Sequence, residues 1–96
     1  MKLVFARRAL REIERSARWW VEHRDARGLF EEELAQALQQ IRDAPNCGQL
    51  YRRVRGREQR RVLMPKTARH VYFRREAEDV MIVSMWGARR GRGPKL

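Results

Sequence analysis

The sequence predicts an α+β domain in which a helical hairpin packs on one face of a small antiparallel sheet, in the order β-α-α-β-β-β. Three observations predict it. Apolar side chains between residues 8 and 43 recur at steps of three and four, the period of an amphipathic helix. Between Arg60 and Arg90, three apolar segments rich in β-branched, aromatic or Met side chains (Val62–Met64, Val71–Phe73 and Val80–Trp86) are separated by charged turns, the pattern of a meander. Finally, 96 residues of which 43% are apolar can bury one modest core, which implies a single domain over residues 1–96.

Met1 to Phe5 reads as a short strand tying the N-terminus to the sheet, with Leu3 and Phe5 on one side and Lys2 and Val4 on the other. From Arg8 to about Arg24 the stripe Leu10, Ile13, Ala17, Trp20 and Val21 defines the buried face of a first helix. Arg11, Glu12, Arg15, Arg18 and Glu22 take the solvent face. Trp19, off the stripe, either widens the buried face or stands out as a contact residue. Asp25 suits the N-cap of a second helix, Gly28 falls in its first turn, and Glu31–Glu33 sit near its positive end. Phe30, Leu34, Ala37, Leu38 and Ile41 form its apolar stripe, and Pro45 stops it.

Residues 49–59 (QLYRRVRGREQ) have weak periodicity interrupted by Gly56, and read as an irregular approach whose arginines face solvent or a ligand. In the meander, Lys66–Ala68 and Glu76–Asp79 are the turns. Alternation sets Val71 and Phe73 against His70, Tyr72 and Arg74, and Met81, Val83 and Met85 against Ile82, Ser84 and Trp86. One set faces the helices; the other forms an exposed aromatic and basic face. Residues 90–96 read as a flexible tail.

The formal charge of +11 is unevenly placed. Residues 1–48 hold 9 basic and 8 acidic side chains, residues 49–96 hold 14 and 4, so the excess travels with the meander. An anionic partner follows from that asymmetry. Arginine outnumbers lysine 20 to 3; a GC-rich genome gives the same bias, so the ratio alone assigns no role. Arg60, Arg61, Arg69, Arg74, Arg89 and Arg90, with Trp86, are the candidate contacts to an anionic target or partner. Trp86 suits stacking on a partner or covering the end of the core. The single cysteine, Cys47, leaves no internal disulfide and no cysteine-based zinc site; neither metal nor cofactor is expected. No stretch is long and apolar enough to span a membrane, and a cytoplasmic protein is expected.

Read in this order, the chain resembles the RelE/ParE superfamily of toxins from bacterial type II toxin–antitoxin (plasmid stabilisation) systems. Val4-Phe5-Ala6-Arg7-Arg8-Ala9-Leu10 is similar to the family's opening strand and its junction with the first helix. The Trp19-Trp20 pair and Phe30, Leu34 and Leu38 match its helices, and Pro45-Asn46-Cys47-Gly48 its Pro-x-x-Gly. Arg60-Arg61-Val62-Leu63, His70-Val71-Tyr72-Phe73-Arg74 and Val80-Met81-Ile82-Val83 resemble its strands, and Arg89-Arg90 its final basic pair.

The resemblance implies a growth-inhibiting toxin neutralised by a cognate antitoxin, the two together forming a hetero-oligomer. It offers two branches. A ParE-like toxin binds its target, DNA gyrase, without known catalytic groups. A RelE-like toxin cleaves mRNA on the ribosome, a metal-independent reaction needing a proton acceptor, a donor and cations for the extra phosphate charge. His70 and Tyr72 are the candidate acid–base pair for that chemistry. The nucleolytic branch places a Tyr or His just after its last strand, where this chain has Gly87-Ala88-Arg89-Arg90. That departure favours the ParE-like branch and a protein that is not an enzyme. A third possibility from composition alone is a non-toxic, basic nucleic-acid-binding domain.

Overall fold

The first strand of the chain forms one edge of a single sheet and lies beside the last. The computed structural model describes residues 2–24 and 28–96, without the side chain of Arg90. Strand β1 (Leu3–Phe5) is followed by helices α1 (Arg7–His23) and α2 (Leu29–Asp43). Strands β2 (Gln49–Val54), β3 (Arg57–Met64), β4 (Arg69–Glu76) and β5 (Asp79–Gly87) follow, then a 3-10 turn over Ala88–Arg90. The sheet order is β1-β5-β4-β3-β2. β1 runs parallel to β5, pairing Leu3 with Val80 and Phe5 with Ile82, and every other pair is antiparallel. The fold is α+β, with both helices on one face. α1 rests on β5 and α2 on β3, each touching its strand more than its sister helix.

The sheet has one more strand than expected, because residues 49–59 are a hairpin and not an irregular approach. Val54 pairs with Arg57 across a two-residue turn of Arg55 (φ 53°) and Gly56 (φ 79°). Two-residue hairpins favour this left-handed pair because its twist matches that of the strands. Gly56 therefore makes the turn. A register shift between Leu50 and Arg52 breaks the alternation by which β2 could have been recognised. Gly48 is fixed more tightly: at φ 76°, an added Cβ would run into the Arg61 carbonyl.

The core lies between helices and sheet, and α1 presents a rotated face to it. Ala9 is fully buried, with Ala6, Ile13, Ala17 and Trp20 packed against the core, while Leu10 (51% exposed) and Val21 (76%) point outward. Alanines let the helix approach the sheet closely, yet they add little to a hydropathy stripe. On α2 the expected stripe holds: Phe30, Ala37 and Ile41 are buried, with Leu34 and Leu38 beside them. Gly28 is the N-cap and not part of the first turn; Asp25, expected as the cap, lies outside the described residues.

The face assignment on β5 also changes. Tyr72 pairs with Ser84 but Phe73 with Ile82, so one residue of β5 bulges out and the alternation slips. Val80, Ile82 and Met85 join the core instead of Met81, Val83 and Met85 sharing a face. Glu12, expected in solvent, reaches this bulge from α1. Its carboxylate accepts from Ser84 Oγ (2.7 Å), Met85 N–H (3.2 Å) and Trp86 Nε1–H (2.9 Å). Glu33 does the same for the β3–β4 turn, accepting from Lys66 N–H (2.7 Å), Thr67 N–H (2.8 Å) and Thr67 Oγ1 (2.6 Å). Burial pushes its pKa up, but these three hydrogen bonds together outweigh it and hold the carboxyl below the usual glutamate range.

Candidate functional site

The face of the sheet away from the helices carries a chain of aromatic and cationic groups. Arg61 of β3 and Tyr72 of β4 are cross-strand partners, which brings the guanidinium to the phenol: Arg61 Nη1 donates to Tyr72 Oη at 3.4 Å. Arg61 Nε also donates to Gln49 Oε1 (3.0 Å), and its guanidinium lies 5.4 Å from the Tyr51 ring centre, within cation–π range. Tyr51 meets Tyr72 edge to face at 4.8 Å, and His70 meets Tyr72 likewise at 5.9 Å. Residues 91–96, expected as a flexible tail, return to this network. Tyr51 Oη donates to the Pro94 carbonyl (2.9 Å), Arg8 Nη1 donates to that of Lys95 (2.8 Å), and Pro94 is buried.

The two acid–base candidates are therefore neighbours, but they differ from the expected exposed pair. Tyr72 is only 1% exposed, so β4 buries three consecutive residues, Val71 to Phe73. Burial raises the Tyr72 pKa against the opposing pull of Arg61, and burial followed by the charge of Arg61 lowers that of His70. Both groups are neutral near pH 7: a ring nitrogen able to accept a proton, and a protonated phenol already in contact with Arg61.

The six arginines do not form one surface. Arg60 points to the helix side, where it donates to the Cys47 (3.0 Å) and Gly48 (3.2 Å) carbonyls and pairs with Glu58 (3.2 Å). That arrangement fixes the turn after α2. Arg74 lies on the open face with Arg61 and contacts Glu76 at 3.3 Å. Arg69 is at the end of the sheet, donating to Ser16 Oγ (3.2 Å) and the Thr67 carbonyl (2.7 Å). Trp86 is nearby, held by Glu12. Arg89 is exposed on the terminal 3-10 turn, and the side chain of Arg90 is outside the described atoms. Among the described residues, no three His, Cys, Asp or Glu side chains gather as a metal site.

Two further residues contribute, and of the two roles the sequence left open for Trp19 it takes that of a contact residue. Tyr51, placed by the unrecognised β2, is the hub between Arg61, Tyr72 and the tail. Trp19 is 36% exposed; it stacks on His23 (4.8 Å, 11°), with the guanidinium groups of Arg24 and Arg69 at 5.3 and 5.6 Å. The only sequence signal for it was a tryptophan just off the apolar stripe. Burial raises the Cys47 pKa against the opposing charge of Arg60, which favours the thiol over the thiolate.

No family model and no curated protein matches the sequence. Among solved structures, a chain of the chromosomal ParDE TA system from P. aeruginosa is similar in fold. Its TM-score is 0.67 at 15% identity, and the match covers 88% of this chain and 92% of that one. The α+β architecture thus extends over nearly the full length of both, and this chain shares the fold of that ParDE chain.

Proposed function

We propose that this chain is a ParE-like toxin of a toxin–antitoxin pair. It inhibits growth by binding its target, DNA gyrase on the family resemblance, and a cognate antitoxin holds it inactive in a cytoplasmic hetero-oligomer. The observation that carries the reading is the near full-length likeness in fold to a chain of a ParDE system. Two features support action by binding. Tyr72, the proton donor a cleavage site would use, is buried and bonded to Arg61. Arg61 and Arg74 offer anionic contacts on the open face.

An antitoxin also has an apolar place to dock. Leu10 and Val21 are exposed on α1 and lie eleven positions apart, close to three full turns, so they share one side of the helix. Inducing the chain alone in a bacterial host should arrest growth, and co-expressing the product of the neighbouring gene should relieve the arrest. Purified chain should block gyrase supercoiling. Unimpeded growth on induction would leave a basic nucleic-acid-binding domain as the reading.

One observation favours a second reading: His70 is neutral and adjoins Arg61 and Tyr72, the set a RelE-like mRNA endoribonuclease on the ribosome requires. Replacing both His70 and Tyr72 by Phe should leave a binding toxin active. Abolished toxicity, together with codon-positioned mRNA cuts by the parent chain, would establish the nuclease instead.

A further inference from the structure

Beyond the Arg61–Tyr72 network, the β2–β3 hairpin, β4 and the C-terminal Leu96 border an open cavity of about 520 Å3. It is lined by Val54, Arg55, Arg57, Gln59, Arg74 and Leu96. Two of these side chains are incompletely satisfied. Gln59 is only 2% exposed and its Oε1 has no hydrogen-bond partner; Arg74 Nε is likewise buried without one. The pairing of Arg60 with Phe73 sets Gln59 and Arg74 at adjoining positions on neighbouring strands. Buried polar groups are nearly always paired, so an orphaned acceptor and an orphaned cationic donor on one cavity point to a ligand with both complements.

Charge narrows the ligand. Glu76 contacts both Arg57 (3.2 Å) and Arg74 (3.3 Å), while Arg55 has no ion pair among the described residues. Two of the three guanidinium groups thus share one carboxylate and the third has none, leaving capacity for a second anion. The walls contain no aromatic ring on which a nucleobase could stack, whereas Val54 and Leu96 offer aliphatic surface. A carboxylate on a short aliphatic stem fits such walls.

We propose that this cavity binds an acidic residue of an extended peptide, its carboxylate on Arg74 and Arg55 and its adjoining backbone N–H on Gln59 Oε1. The amide of Gln59 can turn to accept from a peptide N–H or donate to a peptide carbonyl, so it reads the backbone while the arginines read the charge. The site rests on its own geometry, and its test does not depend on toxicity.

Titrating the isotope-labelled full chain with acetyl-Leu-Glu-Leu-amide should shift the Arg74 Nε–H and Gln59 side-chain resonances. The Gln counterpart of the peptide should bind about tenfold more weakly, the loss of one charge-assisted hydrogen bond. Gln59→Leu should weaken the Glu peptide about fivefold without lowering the thermal midpoint, because it removes an unpaired buried group. Should that variant not fold, Arg55→Ala on the exposed turn should give the same loss of binding. Equal affinity for the two peptides overturns the proposal, as does unchanged affinity in the variant that folds. So does a short RNA oligonucleotide that moves the same resonances at lower concentration than the peptide.

Discussion

The two faces of the sheet treat their buried polar atoms in opposite ways. Beneath the helices, Glu12 and Glu33 each accept from three neutral donors of the sheet, so charges that were costly to bury become links between layers. On the open face, Gln59 Oε1 and Arg74 Nε have no partner at all. On the helix side both carboxylates are satisfied and one neutral donor, Trp20 Nε1, lacks a partner; on the open face an acceptor and a cationic donor at adjoining positions both lack one. The difference teaches that in so basic a chain the acidic side chains hold the fold and the arginines of the open face remain available for a partner.

Breaking Glu33 should have the largest effect. Glu33→Ala strips the acceptor from two backbone N–H groups and a hydroxyl in a buried turn. It should cost about 3 kcal/mol in urea unfolding, the upper part of the range for buried donors left unpaired. Glu33→Gln keeps one acceptor and should cost about half of that. A loss under about 1 kcal/mol for the alanine variant would mean that the β3–β4 turn is held by strand pairing alone.

The same residue predicts a pH dependence. Its folded pKa lies below the usual glutamate value, so the folded state binds fewer protons than the unfolded one in that window. The stability from Glu33 is therefore fully present above the usual glutamate range and declines as pH falls through its own depressed pKa. The gap between parent and Glu33→Gln should close on acidification. A constant gap across that window would contradict the assignment.

Much of the helix side was legible in the sequence, because its signal is periodic and local. Phe30, Ala37 and Ile41 sit where a 3.6-residue period places them, and Val62, Val71 and Val80 fall in the apolar segments that became β3, β4 and β5. What escaped depends on distant partners or broken period. Glu12 looks like any solvent glutamate until the bulge in β5 presents Met85 N–H to it. β2 is masked by arginines and a register shift, and with it went Tyr51, the centre of the open-face network. Of the candidate residues, Arg61, Tyr72, His70 and Arg74 share that face as alternation on β4 required. Arg60 does not, since the segment from Cys47 to Gly48 offers it carbonyl acceptors on the helix side.

Glu12 sharpens the comparison at intermediate scale. Glu12→Gln retains an acceptor for part of the bulge and removes the charge that Arg8 approaches at 3.5 Å. A cost of about 1–2 kcal/mol is expected. Because Trp86 Nε1 donates to this carboxylate, its fluorescence should change as well. A stability loss with unaltered Trp86 emission would place the effect elsewhere on α1.

The smallest effect belongs to the basic hairpin. Arg53 contacts Glu58 at 3.0 Å, but the two side chains are 62% and 41% exposed. Solvent screening and side-chain entropy limit such a pair, and Arg53→Ala should change stability by less than about 0.5 kcal/mol. The chain carries a formal charge of +11, so removing a cation also relieves self-repulsion and can offset the lost pair. Salt separates the two contributions. If repulsion among the arginines dominates, raising sodium chloride to about 0.5 M should stabilise the parent more than Arg53→Ala. Destabilisation of the parent alone by salt would show that the surface pairs hold the hairpin, and the division between a structural helix side and an available open face would then fail at β2.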